Sequence, residues 1–88
     1  MPGIIKIVYV GSFLQQLLDL PKDLREEAIE KIELFTNRNN HKFLRVHKLK
    51  GKLKHYFSFS VNYKTRILFT YVKNEAYLIT IGDHEIYK

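Results

Sequence analysis

Ten basic side chains lie between Leu34 and Asn74, and no acidic residue separates them. They are Arg38, Lys42, Arg45, Lys48, Lys50, Lys52, Lys54, Lys64, Arg66 and Lys73. All nine acidic residues lie elsewhere, so the net charge of +6 is unevenly divided along the chain. A segregated positive field attracts polyanions and speeds their encounter. This pattern predicts a nucleic acid or an acidic protein as partner; the alternative is a solvated surface that only aids solubility.

Several residues in and after this basic segment could carry out chemistry on a phosphate group. Arginine binds phosphate through two N–H groups and keeps its charge, whereas histidine can accept or donate a proton near neutral pH. His41, His47 and His55 lie in the segment, and His84 and Tyr87 follow it. The histidines and acids show no metal-site spacing, and there are no cysteines. We therefore predict no metal, no other cofactor and no disulfide framework.

The 88 residues, 45% of them hydrophobic, predict one small globular domain spanning residues 1–88. This composition excludes a disordered tail and a collagen-like fibre. The apolar stretch at residues 4–10 is too short to span a bilayer, and no cleavage site follows it. We therefore expect neither a signal peptide nor a membrane segment. The expected compartment is the cytosol.

The elements that position the candidate residues follow from the apolar periodicity. Residues 4–10 are rich in β-branched side chains and predict a strand that ends at Gly11. Ser12 is the predicted N-cap of a short helix, and Pro21 suits the start of a second helix that runs to about Thr36. Residues 37–54 are polar and predict a long loop, with one short strand at most, around 43–46. The two helices should form a hairpin.

Three further segments, residues 56–61, 65–72 and 76–81, predict an antiparallel meander. The helices are expected to cover a core face that carries Phe57, Phe59, Ile67, Phe69, Ile79 and Ile81. On the last strand, Tyr77 is expected to share the face of Ile79 and Ile81. The opposite face carries Tyr56, Ser58, Ser60, Arg66, Leu68 and Thr70, is expected to be largely wet, and borders the His84–Tyr87 tail. The predicted fold class is α+β, in the order β-α-α-β-β-β, with the helical hairpin packed on one face of a twisted, mainly antiparallel sheet.

The chain resembles the RelE/ParE toxin superfamily of bacterial type II toxin–antitoxin systems over nearly its whole length. The resemblance rests on the order of five features: the first strand, the hairpin broken at Leu20-Pro21, the Lys-Leu-Lys-Gly turn at 48–51, the Arg-Ile-Leu-Phe of 66–69 and the closing residues 81–87. RelE-like members cut messenger RNA, typically on the ribosome. The resemblance implies a metal-independent endoribonuclease toxin in the bacterial cytoplasm. The implied partners are an acidic antitoxin protein, messenger RNA and the ribosome. No association with a membrane is implied.

By this resemblance, Arg66 holds the scissile phosphate. His84 and His47 are the candidates for proton transfer, and Tyr87 shapes the site or assists catalysis. The chain departs from the RelE pattern at residues 57–60, which read Phe-Ser-Phe-Ser where RelE-type strands carry lysines. The general base is therefore left unassigned between the two histidines.

The basic residues Arg45, Lys48, Lys50, Lys52, Lys54 and Lys64 are predicted to hold the RNA backbone. Two alternatives stay open from the sequence. One is a ParE-like toxin that inhibits DNA gyrase and is no enzyme, and the other is an inactive relative that binds only RNA or the antitoxin. Arg66 could also form an ion pair with an acidic neighbour, which would make it structural.

Overall fold

The computed structural model describes residues 4–87, apart from the side chain of His84. Within that range the chain forms two α-helices, five strands and three short 3₁₀ helices. The helices and strands are β1 (Lys6–Tyr9), α1 (Phe13–Leu18), α2 (Lys22–Phe35), β2 (His47–Lys48), β3 (Phe57–Ser60), β4 (Arg66–Val72) and β5 (Glu75–Gly82). The 3₁₀ helices cover Arg38–Asn40, Gly51–Leu53 and His84–Tyr87, and the last of these is the tail helix. No helix in residues 4–87 has the length and apolar character needed to cross a membrane.

The five strands form one mixed sheet in the order β1-β5-β4-β3-β2. The predicted meander of β3, β4 and β5 is confirmed, and β1 joins it parallel to β5. The predicted position of the short strand, around 43–46, is wrong, because the strand β2 covers His47–Lys48 instead. Arg45 has a positive φ of 59°, which is incompatible with an extended strand at that position. The α+β class predicted from the sequence is confirmed.

The two helices cover one face of the sheet. Pro21 is the N-cap of α2, as predicted, and its fixed φ suits the helix start. The helix contributes Phe35 to the core, where its ring stacks on Phe59 at 4.4 Å and meets the edge of Phe69 at 4.8 Å. Such aromatic pairs contribute beyond their buried area, by about 0.5–1.5 kcal/mol each. These rings fix the sheet against the hairpin.

The pairing of β4 with β5 contains an irregularity between Leu68 and Phe69. A bulge inserts one extra residue in one strand and so reverses the face that the following side chains occupy. Beyond it, the β5 side chains that enter the core are Ala76 and Leu78. The prediction that Tyr77, Ile79 and Ile81 share one face is therefore wrong.

The second face of the sheet, away from the helices, is partly covered by the tail helix. Ser58 on β3 is 0% exposed and Leu68 on β4 is 6% exposed, although both lie on this face. The tail helix contacts both β4 and β5. The expectation of a largely wet second face is therefore wrong around Ser58.

Candidate active site

The candidate residues occupy two neighbouring cross-strand rows on the second face. His47, Ser58 and Leu68 lie opposite one another in the first row, and Ser60 and Arg66 in the second. Residues directly opposed in antiparallel strands project to the same face, with Cβ atoms about 4.5–5.5 Å apart. His47 on β2 and Arg66 on β4 therefore project to the same face of the sheet.

The tail helix brings Tyr87 onto the same face. The Tyr87 hydroxyl donates a hydrogen bond of 2.9 Å to the hydroxyl of Ser58. The tail can approach because Gly82 has no side chain: a Cβ at that position would lie 2.7 Å from Cγ2 of Ile86. Ser58 lies opposite His47, so the Tyr87 phenol is bonded to the direct cross-strand neighbour of the histidine. The adjacent row contains Arg66.

The Arg66 guanidinium is held by main-chain oxygens of the β3–β4 turn. Its Nη1 donates to the carbonyl of Asn62 at 2.6 Å and to that of Thr65 at 3.3 Å. No carboxylate in residues 4–87 forms an ion pair with it. The alternative of an acidic neighbour therefore finds no partner in the described part of the chain. Within that part, the Nε and Nη2 groups have no hydrogen-bond acceptor and are available to an anion.

The turn that holds Arg66 is itself anchored through the side chain of Asn62. Its Oδ1 accepts from the backbone N–H groups of Lys64 at 2.9 Å and Thr65 at 2.7 Å. Its Nδ2 donates to Oε1 of Glu27 on α2 at 3.2 Å. Asparagine is suited to such a turn because its amide bonds the backbone two and three residues further on. The position of Arg66 therefore depends on α2 as well as on the sheet.

His47 forms a hydrogen bond that assigns its tautomer. Its Nδ1 lies 2.9 Å from the carbonyl oxygen of Arg45. A carbonyl oxygen only accepts, so Nδ1 carries the proton, and Nε2 of the neutral ring keeps its lone pair. The left-handed backbone at Arg45 belongs to the same local loop. The exposed imidazole is therefore oriented to accept a proton through Nε2.

The other predicted residues divide between the site and its margins. The His84 backbone opens the tail helix directly after β5, but its side chain lies outside the described residues. The six predicted RNA-binding residues are all exposed and follow the β2 edge and the β3–β4 turn: Arg45, Lys48, Lys50, Lys52, Lys54 and Lys64. His41 bonds through Nε2 to the carbonyl of Phe35 at 2.8 Å and stacks on that ring, so it anchors the loop.

A cleft of about 300 Å³ opens next to Arg66, between α2, the loop before β2 and the β3–β4 turn. Its walls include Lys31, Phe43, Arg45 and Tyr63. Sequence reasoning did not select Lys31, Phe43 or Tyr63 as functional residues. The available signal was two aromatic residues in polar turns, each next to basic residues.

Tyr71 on β4 lies on the core-facing side and is separate from the site. Burial raises the pKa of its hydroxyl above the ordinary value of 10.0, and the nearby Arg38 partly opposes this effect. The Arg38 guanidinium lies 5.9 Å from the centre of the Tyr71 ring. Among the side chains that the structure describes, no three His, Asp or Glu groups come together to hold a metal ion.

Solved structures of the same fold cover almost the whole chain. YafQ from E. coli strain BL21(DE3) is 16% identical, with 94% of this chain and 97% of that chain covered and a TM-score of 0.71. The toxin–antitoxin complex RelBE2 from Mycobacterium tuberculosis is 15% identical, with 92% and 99% covered and a TM-score of 0.69. The YoeB–YefM complex from Staphylococcus aureus is 17% identical, with 91% and 97% covered and a TM-score of 0.71.

These similarities show that the chain has the RelE/ParE toxin fold, as the sequence resemblance implied. No protein-family model matches the sequence, and no curated protein matches it. The fold alone does not define a reaction, so the activity has to be argued from the residues of the site.

Proposed function

We propose that this protein is the toxin of a type II toxin–antitoxin system and cleaves messenger RNA as a metal-independent endoribonuclease. The observation that carries the proposal is the shared face of His47, Arg66 and Tyr87 on the RelE/ParE toxin fold. A base, a phosphate-binding cation and a phenol on one face of a cationic protein match the needs of RNA transesterification.

The first step uses the histidine. Nε2 of His47 accepts the proton of a ribose 2′-hydroxyl, and the 2′-oxygen attacks the adjacent phosphorus. The bond from phosphorus to the 5′-oxygen of the next nucleotide breaks, which leaves a 2′,3′-cyclic phosphate and a 5′-hydroxyl end. The tautomer assigned by the Arg45 carbonyl supports this role, because Nε2 is the nitrogen with the free lone pair.

Arg66 stabilises the charge that develops on the phosphorane. Its Nη1 is held by two carbonyls, so the guanidinium is positioned before the substrate arrives. Preorganised donors of this kind lower the barrier because they need no reorganisation during the reaction. The free Nε and Nη2 groups can contact two phosphate oxygens as a fork.

The proton for the leaving 5′-oxygen comes from the tail, through Tyr87 or His84. In the Tyr87 route, the phenol transfers its proton to the 5′-oxygen, and the Ser58 hydroxyl turns to donate to the phenolate. The 2.9 Å contact between the two hydroxyls supports this exchange.

The proposed partners are the ribosome with its messenger RNA and an acidic antitoxin, in the bacterial cytoplasm. Three of the similar solved structures are complexes, and two of these are named toxin–antitoxin complexes. A net charge of +6 favours an acidic inhibitor that covers the basic surface. The exposed lysines along the β2 edge would hold the RNA backbone in its absence.

The test is cleavage of messenger RNA, with and without translating ribosomes, followed by mapping of the new 5′ ends. We expect cleavage by the wild type, and a loss of about 10²–10⁴-fold in rate for His47→Gln. Arg66→Lys should also lose most activity, because lysine keeps the charge but not the fork. His55→Gln is the matched control, because His55 is exposed in the loop before β3. This variant should cleave as the wild type does.

Substrate chemistry gives an independent check. An RNA with a single 2′-deoxyribose at the cleaved position should resist cleavage there, because the attacking group is missing. Full activity of His47→Gln, or cleavage of the deoxy substrate, would refute the mechanism. Growth arrest with intact messengers and damaged DNA would instead select the gyrase-directed alternative.

A further inference from the structure

The cleft beside Arg66 combines features that the cleavage chemistry does not use. Phe43 is 70% exposed and Tyr63 is 90% exposed, and both line the same cleft. An isolated exposed aromatic residue is ordinary in a soluble protein. Two rings that line one cleft with three cationic side chains form a surface of defined chemistry.

The cations of the cleft differ in how they are engaged. Lys31 is paired with Glu27 at 3.8 Å, and its side chain is only 17% exposed. Arg45 is exposed, and no described residue forms an ion pair with it. Arg66 has its Nη1 bound to the turn and lines the same cleft. The cleft therefore continues directly from the proposed phosphate site and keeps at least one freely available guanidinium.

Exposed aromatic rings beside free cations match the chemistry of single-stranded nucleic acid. Bases stack on aromatic side chains, and the backbone phosphates are held by Lys and Arg. The cleft volume of about 300 Å³ is at the lower limit of small-ligand sites. That size suits one nucleotide better than it suits a protein partner, which needs an interface of roughly 800 Å² per side.

We propose that this cleft is a nucleotide subsite. It holds the base next to the cleaved phosphate against Phe43 and Tyr63, while Arg45 contacts the phosphate of that nucleotide. The inference deepens the proposed function and rests on it. It adds a site that selects and orients the RNA strand, and its residues Phe43, Tyr63 and Arg45 take no step in the bond cleavage.

Binding of uncleavable RNA tests the subsite directly. The probes are a fluorescent eight-nucleotide 2′-O-methyl oligouridine and the same backbone without bases, titrated with the purified protein at several salt concentrations. The wild type should bind the oligouridine at least about tenfold more tightly than the abasic strand, because stacking of a base on the aromatic rings adds to the binding that the phosphates give.

The double variant Phe43→Ala/Tyr63→Ala should lose most of this preference for bases and keep its affinity for the abasic strand. Arg45→Ala should weaken binding of both strands and reduce the salt slope by about one unit. Tyr9→Ala is the matched control, because Tyr9 is 45% exposed on the distant edge strand β1. Its preference for bases should equal that of the wild type, and thermal melts should show that each variant is folded.

Unchanged preference for bases in the double variant would overturn the subsite, as would a wild type that does not distinguish the two strands. A double variant that binds RNA normally but no longer binds the protein encoded next to it would assign the cleft to a protein partner and overturn it too. Failure of the proposed function looks different: the wild type would still prefer bases but would cut no messenger.

Discussion

The hydrogen bond between Tyr87 and Ser58 can be measured as a coupling energy. Ser58 is 0% exposed, so in Tyr87→Phe its hydroxyl loses the 2.9 Å partner and finds no bulk water. A buried polar group left unpaired costs about 1–3 kcal/mol. A loss of about 2 kcal/mol would lower the Tm by roughly 8–16 °C in a domain of this size.

The two other variants of the cycle should behave differently. In Ser58→Ala the Tyr87 hydroxyl is only half-buried and can turn to water, so the loss should be about 0.5–1.5 kcal/mol. The double variant Ser58→Ala/Tyr87→Phe leaves no unpaired hydroxyl and should lose little more than Ser58→Ala alone. The coupling energy between the two positions should therefore be about 1–2 kcal/mol.

The assay is urea unfolding of the four proteins at one pH, followed by circular dichroism. Tyr63→Phe is the control, because that tyrosine is 90% exposed and its hydroxyl removal should leave the free energy of unfolding unchanged. A coupling energy below about 0.3 kcal/mol, the usual error of additivity, would show that the tail does not dock on the sheet through this bond.

Three further predictions concern the turn, the core and the tail. Asn62→Ala removes three hydrogen bonds of 2.7–3.2 Å, so it should lower the free energy of unfolding by about 2–3 kcal/mol and slow RNA cleavage. The control Asn74→Ala, in the exposed β4–β5 turn, should change neither stability nor cleavage. Burial raises the pKa of the Tyr71 hydroxyl, so that hydroxyl loses its proton at lower pH in the unfolded chain than in the folded one, and the free energy of unfolding should fall as the pH rises above about 10. Urea unfolding of Tyr71→Phe should show a smaller fall. Gly82→Ala would put a Cβ 2.7 Å from Cγ2 of Ile86 and should cost about 1–3 kcal/mol, and adding Ile86→Ala should recover part of that loss in thermal melts.

The sequence was sufficient for the element types but not for the register of the last strand. Alternation in β3 and β4 identified their core faces, because side chains in a regular strand alternate strictly. In β5 the same alternation predicted one shared face for Tyr77, Ile79 and Ile81; Ile81 is in the core, but beyond the irregularity at Leu68/Phe69 the core residues are Leu78 and Ala76. A bulge is decided by how two strands pack against a shared core, which a single strand's residues do not reveal.

The candidate site was only partly predictable for a similar reason. Arg66 and Tyr87 were selected by residue type and resemblance, and both lie on the second face. The anchoring of Arg66 by Asn62, however, depends on a contact with Glu27, which is 35 positions away along the chain. The tautomer of His47 depends likewise on the loop conformation at Arg45. Contacts of these two kinds arise from tertiary geometry and have no local signature.

The parallel pairing of β1 with β5 has a consequence for the speed of folding. Lys6 pairs with Glu75, about 70 positions further along the chain, whereas β3, β4 and β5 are joined by short turns. Closing so long a loop is entropically costly, and contacts of high sequence separation slow the search for the native state. We expect the meander to assemble first and β1 to dock last, so that changes in β1 accelerate unfolding while leaving the refolding rate nearly unaltered.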